Sequence, residues 1–182
     1  MQHTLPFICG GFYYPNNFFM QNESEIYHLR IDTPVGPVLI SGTTQFINSV
    51  SFTDEPAVDF PQAPPLLLDC AQQLYEYFGG ARKIFELPLS QEGTAFQQSV
   101  WQQLLAIPFG QTISYLQLAR RINNPKSIRA VGTTNGKNQL AIIVPCHRVI
   151  GSNGTLTGYA GGIWRKRWLL EHERTDLFTG LV

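Results

Sequence analysis

Residues 140–159, LAIIVPCHRVIGSNGTLTGY, constrain this chain more than any other stretch. Leu140–Val144 is an uninterrupted apolar run rich in β-branched residues, and Pro145 ends it. Such a run has to be buried, and its length and composition predict an interior strand that delivers Cys146 to its end. Val149-Ile150 and Thr155-Leu156-Thr157 flank Gly151-Ser152-Asn153-Gly154, which predicts a hairpin turning on Asn-Gly. A thiol attacks as thiolate and burial raises its pKa, so a cysteine placed here is inert unless a base or a cation attends it. His147 and Arg148 are the local candidates, and Glu171 and Glu173 are candidates to fix the tautomer of His147. Adjacent side chains of an extended segment point apart, so coupling Cys146 to His147 needs a turn or a bridging water.

The rest of the chain falls into two parts that meet near Ser90–Gly93, predicting domains over 1–89 and 90–182. The charge divides at the same place. Residues 1–90 carry three basic and nine acidic residues, whereas residues 91–182 carry ten basic and four acidic, so the second part is the one suited to a polyanion. With 182 residues and 43% hydrophobic content the chain affords a real core, and disorder is not expected. Its three cysteines, Cys9, Cys70 and Cys146, are too far apart for a CxxC metal site or a disulfide framework, so reduced thiols in a cytoplasmic protein are expected. The N-terminal residues have no basic start and are broken by Gly10, Gly11 and Pro15, which predicts neither a signal peptide nor a membrane span.

In the first part, alternation over Glu25–Asp32, Val38–Ser41 and Gln45–Phe52 predicts an antiparallel meander. Asp54–Pro65 reads as loop, Pro64–Phe78 as a helix stopped by Gly79-Gly80, and Ile84–Leu89 as a short strand. Cys70, inside the helix, reads as a small core residue. In the second part, Thr94–Gln97 and Ser114–Gln117 both have capping-box form, and each opens a predicted helix. A further helix is predicted from Ser127 through Ile128, Arg129, Ala130 and Val131 toward Gly136. The last two form a helix-turn-helix pattern, and the second of them is slim: Ala130, Gly132, Thr133, Thr134 and Gly136 are small, and Arg129 and Lys137 are its long basic residues. That composition suits the narrow, sequence-poor minor groove of DNA, although close packing against another helix would select the same residues. Ile163–Glu173 is predicted as a final helix packing through Trp164, Trp168, Leu169 and Leu170, and Arg174–Val182 has no assignment.

Pro145-Cys146-His147-Arg148, with its surroundings from Leu87 to Glu173, resembles the O6-alkylguanine-DNA alkyltransferases, also called methylated-DNA–protein-cysteine methyltransferases. The resemblance implies a ribonuclease H-like small sheet plus helix for the α/β N-terminal domain, followed by a mostly α domain with a winged helix-turn-helix. It implies that Cys146 accepts the alkyl group from O6 of guanine in one irreversible displacement, with O4-alkylthymine as an open additional substrate. His147 matches the water-mediated base, Glu173 the carboxylate that orients it, and Asn138 the hinge that supports the active-site turn. Tyr115 matches the tyrosine beside the flipped nucleotide's phosphate, and Arg129 the finger that fills the vacated place in the base stack. Tyr159 and Ala160 match the guanine pocket, with the backbone of Val144, Pro145 and Ser152 contacting the base edge. Thr94, Ser127, Ala130 and Gly132 match further DNA contacts. The implied partner is double-stranded DNA containing alkylated guanine; no cofactor, metal or membrane is expected, and the protein is expected to be a monomer in solution, with clustering on DNA as an open alternative.

Three positions depart from the family pattern. Gln139 follows Asn138 where proline is common, which predicts a looser turn. Leu116 replaces a frequent glutamine, and Thr157 stands where some members have glycine, which predicts a narrower range of accepted alkyl groups. The competing readings are a non-catalytic relative that binds alkylated DNA, a helix-turn-helix regulator and a cysteine hydrolase. The first is disfavoured because Cys146 is kept, and the last because no oxyanion-hole motif is visible.

Overall fold

The structure is a computed structural model that describes residues 25–55 and 63–174. The sequence expectations for the N-terminal 24 residues (Cys9 included), for the interior of the acidic loop and for the last eight residues lie outside the described residues.

Three strands, β1 (Tyr27–Ile31), β2 (Val38–Gly42) and β3 (Ile47–Phe52), form an antiparallel sheet in the order β1-β2-β3. Ile31 pairs with Val38, and Val38 with Phe52. Helix α1 (Pro65–Phe78) has proline at its first position, where the missing N–H is no loss, and ends at Gly79. It buries Leu67, Cys70 and Leu74 in the core shared with the sheet, and turns Tyr77 toward Phe109 and His172. The second part is mostly helical: α2 (Ala95–Leu105), α3 (Tyr115–Arg121), α4 (Ile128–Gly136) and α5 (Ile163–His172), with two-residue strands β4 (Ile113–Ser114) and β5 (Val149–Ile150). Both predicted capping boxes are present: Thr94 and Ser114 accept from the backbone of Gln97 and Gln117, whose side chains accept from the cap residues in return.

The two parts share one hydrophobic core, which runs from Ile40 and Val50 of the sheet to Leu140, Val144 and Leu169. The outer edge of β3 is covered by Leu89 and by the second part instead of being left open. Ile47 bridges Leu89 and Val50 bridges Leu140, with Val50 N–H donating to Gln139 O at 2.8 Å and Ala141 N–H to Val50 O at 2.9 Å.

Four sequence expectations need correction. Leu140–Val144 is not a strand but a buried reversal. Val144 N–H donates to Leu140 O at 2.9 Å, Ile143 N–H donates to Ala141 O at 2.8 Å, and Ile142 takes φ of 72°. A β-branched residue in the left-handed region is strained, by about 1–3 kcal/mol, and is kept there only by its surroundings. The run is buried, as its composition requires, but the ladder a strand needs is replaced by the single bridge to Val50 and by the amide of Asn138. Ile84–Leu89 is likewise irregular except for Leu89, because the side chain of Gln73 takes both backbone groups of Glu86, at 2.9 and 3.2 Å.

The Asn153-Gly154 turn forms, with Gly154 at φ 80°, but no hairpin follows it. β5 pairs in parallel with β4, Ile113 opposite Val149, and the return segment leaves to wall a cavity. Trp164 is 54% exposed rather than packed; α5 turns Lys166 and Leu169 inward instead. No helix of the described residues is long and apolar enough to cross a membrane.

Candidate active site

Cys146 opens a 3-10 turn, Cys146–Arg148, directly after the reversal. This supplies the turn that an extended segment would lack. The thiol is 5% exposed and faces a cavity of about 130 Å³, whose other walls include Asn138, Ala141, Gly158 and Tyr159. Asn138 is the hinge of the arrangement. Its Oδ1 accepts from Leu140 N–H at 3.1 Å, while its Nδ2 reaches Val144 O at 2.8 Å, Leu140 O at 3.3 Å and Cys146 Sγ at 3.1 Å. One amide thus closes the reversal and touches the sulfur. The next residue, Gln139, is pinned through its carbonyl to Val50, so the turn is held despite the absent proline.

Behind the thiol lies a buried polar cluster centred on Glu173, at the C-terminal cap of α5. His147 Nε2 lies 2.8 Å from Glu173 Oε1. Arg148 donates from Nε to Oε2 at 2.7 Å, from Nη2 to Oε1 at 2.9 Å and from Nη1 to Ile107 O at 2.6 Å. Tyr77 of α1 donates its hydroxyl to Oε1 at 2.8 Å, and Gly110 N–H reaches Oε2 at 3.3 Å. Burial alone would push the Glu173 carboxyl up, but the hydrogen bonds from His147 and Arg148 and the adjacent guanidinium hold it well below the usual carboxylate range. The carboxylate orients His147 with Nε2–H donating, which makes Nδ1 the basic nitrogen. Nδ1 is buried and has no hydrogen-bond partner among the described residues.

Burial lowers the pKa of His147, and this outweighs the raising effect of Glu173; Arg148 and Lys166 push it further down. Burial raises the Cys146 thiol, against the Asn138 hydrogen bond and the Lys166 charge, which lower it. The resting pair is therefore neutral thiol and neutral imidazole, so the thiolate has to be made by proton transfer rather than stand preformed. Cys70 shows the contrast: burial pushes it up to about 12, and the neighbouring Asp69 adds to the rise. It is a core residue, as read from the sequence.

Lys166 is fully buried, donating to Val149 O at 2.6 Å and Thr157 O at 3.0 Å, and burial lowers its pKa to about 8. It ties β5 to the pocket loop. Neither Lys166 nor Tyr77 was found from sequence. Their signals, a lysine one position into an apolar helix face and a tyrosine on a distant helix, acquire meaning only when the elements are packed.

Of the expected site residues, Cys146, Asn138, Tyr159 and Ala160 line the inner cavity, while Tyr115, Gly132, Tyr159 and Ala160 line a wider outer one beside α4. Gly132 faces the Tyr115 ring, which would lie in ordinary contact, 3.8 Å, from an added Cβ. Arg129 and Ala130 are exposed on α4, which Ser127 precedes. Thr94 is exposed and caps α2. Val144 and Pro145 turn toward other grooves, and Ser152 lies exposed in the Asn-Gly turn, so none of these three lines the Cys146 cavity. Glu171, the alternative partner for His147, is exposed and Glu173 takes the role. Two of the ten basic residues, Arg148 and Lys166, are interior, but Arg120, Arg121, Lys126, Arg129 and Lys137 are all exposed on and around α3 and α4.

Comparison with known proteins agrees with this geometry. Residues 26–91 match the ribonuclease-like domain of 6-O-methylguanine DNA methyltransferase, and residues 95–175 match the DNA binding domain of the same family. The constitutive methylated-DNA–protein-cysteine methyltransferase of Bacillus subtilis is 45% identical over 157 residues, covering 81% of this chain and 95% of its own. That of Methanosarcina acetivorans is 42% identical over 153 residues, covering 81% of this chain and 98% of its own. The crystal structure of the Mycobacterium tuberculosis relative in complex with DNA is 42% identical, with a TM-score of 0.74 over 82% of this chain and 96% of that one. With identity at this level across both parts of the fold, the chain belongs to the 6-O-methylguanine DNA methyltransferase family, the methylated-DNA–protein-cysteine methyltransferases.

Proposed function

We propose that the protein repairs O6-methylguanine in DNA by moving the methyl group to Cys146. The observation that carries the assignment is the buried thiol at a cavity, 3.1 Å from the Asn138 amide, with the neutral His147 and ionised Glu173 behind it. His147 Nδ1 withdraws the thiol proton, through a bridging water. The Sγ–carbon bond forms as the carbon–O6 bond breaks, the electron pair leaves on the guanine, and a proton from Tyr115 or water restores the neutral base. Asn138 and Lys166 stabilise the passing thiolate. The thioether has no easy reversal, so each molecule acts once and needs no cofactor. The same chemistry extends to larger O6-alkyl groups and to O4-alkylthymine.

A stacked base cannot reach Cys146, so the nucleotide leaves the duplex, at a cost of a few kcal/mol. The exposed basic residues of α3 and α4 bind the backbone, α4 lies in the minor groove, and Arg129 fills the gap. Tyr115 presses on the phosphate beside the extruded nucleotide, and Tyr159 forms the wall on which the guanine rests. Thr94, Ser127, Ala130 and Gly132 complete the contact with DNA. We further read the chain as two domains meeting near residue 90, a monomer in solution, working in the reducing cytoplasm that a free thiol nucleophile requires.

Incubation with duplex DNA carrying one O6-methylguanine, followed by intact mass and peptide mapping, tests the assignment. One methyl group on Cys146 per molecule is expected, and Cys146→Ala should gain none while still binding DNA. Damage binding without a mass gain on the wild-type protein would overturn the assignment and favour a non-catalytic binder.

A further inference from the structure

The cavity at Cys146 is not closed by the second part of the chain alone. Val50, Ser51 and Phe52, the last residues of β3, also line it. Phe52 is the large side chain among them, and it is held from several directions. Its ring centroid lies 6.1 Å from that of Tyr159, at an interplanar angle of 59°. The Arg165 guanidinium sits 4.8 Å from the same ring and is itself anchored to Val35 O at 2.7 Å and Gly161 O at 3.0 Å. The pocket loop passes so close that a Cβ at Gly161 would run into the Phe52 ring. Thr157, the residue that the sequence points to as a limit on alkyl size, instead lines the outer cavity with Tyr115 and Gly132.

We propose that Phe52 is a specificity-determining residue: from the N-terminal sheet, its ring forms the end wall of the space that receives the O6 substituent and sets the largest group that Cys146 can accept. The inference rests on the alkyltransferase reading. The cavity of about 130 Å³ is far larger than a methyl group needs. That space also has to hold the guanine, because Tyr159 lines the same cavity, so only part of it is left for the O6 substituent and the Phe52 ring bounds what remains. The wall is stiff because the edge of β3 is bridged at Val50 to Leu140, in the same reversal that leads into Cys146. The sheet thus holds both the nucleophile's backbone and the limit of its pocket.

The test compares thioether formation at Cys146, followed by intact mass, for three free bases: O6-methylguanine, O6-benzylguanine and O6-(naphthylmethyl)guanine. The readout is the ratio of the naphthylmethyl rate to the benzyl rate in the wild-type protein and in Phe52→Ala, Phe52→Leu and Phe52→Trp. One extra methylene in a tight pocket is worth roughly 10-fold or more in discrimination, so the ratio should rise at least about 10-fold in Phe52→Ala, rise less in Phe52→Leu and fall in Phe52→Trp. Leucine and tryptophan keep an apolar side chain in place, so the ordering stays readable if the alanine variant folds poorly. A ratio within twofold of wild type in the leucine and tryptophan variants would overturn the proposal, as would a ratio that moves with Thr157→Gly and not with Phe52. Failure of the wild-type protein to alkylate Cys146 with any of the bases or with methylated DNA would overturn the alkyltransferase reading itself.

Discussion

Replacing Arg148 by methionine keeps most of the buried apolar volume and deletes the guanidinium. It removes the contacts to Glu173 at 2.7 and 2.9 Å and the one to Ile107 O at 2.6 Å. Glu173, 1% exposed, would keep His147, Tyr77 and the Gly110 amide as donors but lose its one permanent cation. Breaking a buried pair by removing one partner costs about 3–5 kcal/mol, because the remaining charge cannot return to water. Total stability for a chain of this kind is on the order of 5–15 kcal/mol, so the loss should be plain in urea unfolding as a lower midpoint at unchanged slope. Adding Glu173→Gln removes the stranded charge, and the double-mutant cycle should give a coupling of about 2–3 kcal/mol. A single-variant loss below about 1 kcal/mol, or strict additivity, would refute the claim that this pair organises the cluster. Kinetics supply a second readout. Arg148 holds the pKa of His147 down, so its removal lets His147 take a proton at higher pH. The acid limb of the transfer rate should move upward in pH, and an unmoved limb would refute the electrostatic assignment.

Other expectations follow from the same geometry. The folded-state pKa of His147 lies below its ordinary 6.5, so the unfolded chain binds that proton more readily and stability should decline as pH falls below about 6.5. Glu173 is depressed from 4.5, so its contribution is present above that value and a second, steeper loss should set in below it; urea midpoints between pH 8 and pH 3.5 that stay flat to pH 5 would contradict the first phase. Arg129→Ala should slow repair of duplex DNA by about tenfold or more, since it offsets part of an unstacking cost of a few kcal/mol, and should slow alkylation by free O6-benzylguanine much less; equal losses would count against a finger role. Thr94→Ala removes a capping box and should cost about 1 kcal/mol in unfolding free energy, with no measurable cost if the cap contributes nothing. DNA affinity should fall steeply with salt, as expected of the exposed basic residues of α3 and α4.

Local patterns were read well where a short segment decides its own conformation. Thr94–Gln97 and Ser114–Gln117 carry both donors and acceptors of their capping boxes within four residues, so the helix starts could be placed from sequence. The meander alternates because its two faces see different surroundings, and it appears within two residues of the expected bounds. Pro145-Cys146-His147-Arg148, with Asn138 and Glu173 at their spacings, pointed to the chemistry, and the structure brings those residues together.

What the sequence by itself determined was therefore the helices, the meander, the polarity of charge and the family to which Pro145-Cys146-His147-Arg148 points. Only the tertiary structure decided how Cys146 is held. Leu140–Val144 has strand composition, yet a strand exists only if a neighbour supplies its ladder; the competing partners, Asn138 and Val50, come from another turn and another domain. The same holds for Tyr77 on Glu173, 96 positions away, and for Phe52, which lines the cavity with Cys146. Hydrogen bonds and packing contacts between distant segments leave no periodic signature along the chain, because each is set by the packing of whole elements rather than by their local propensity.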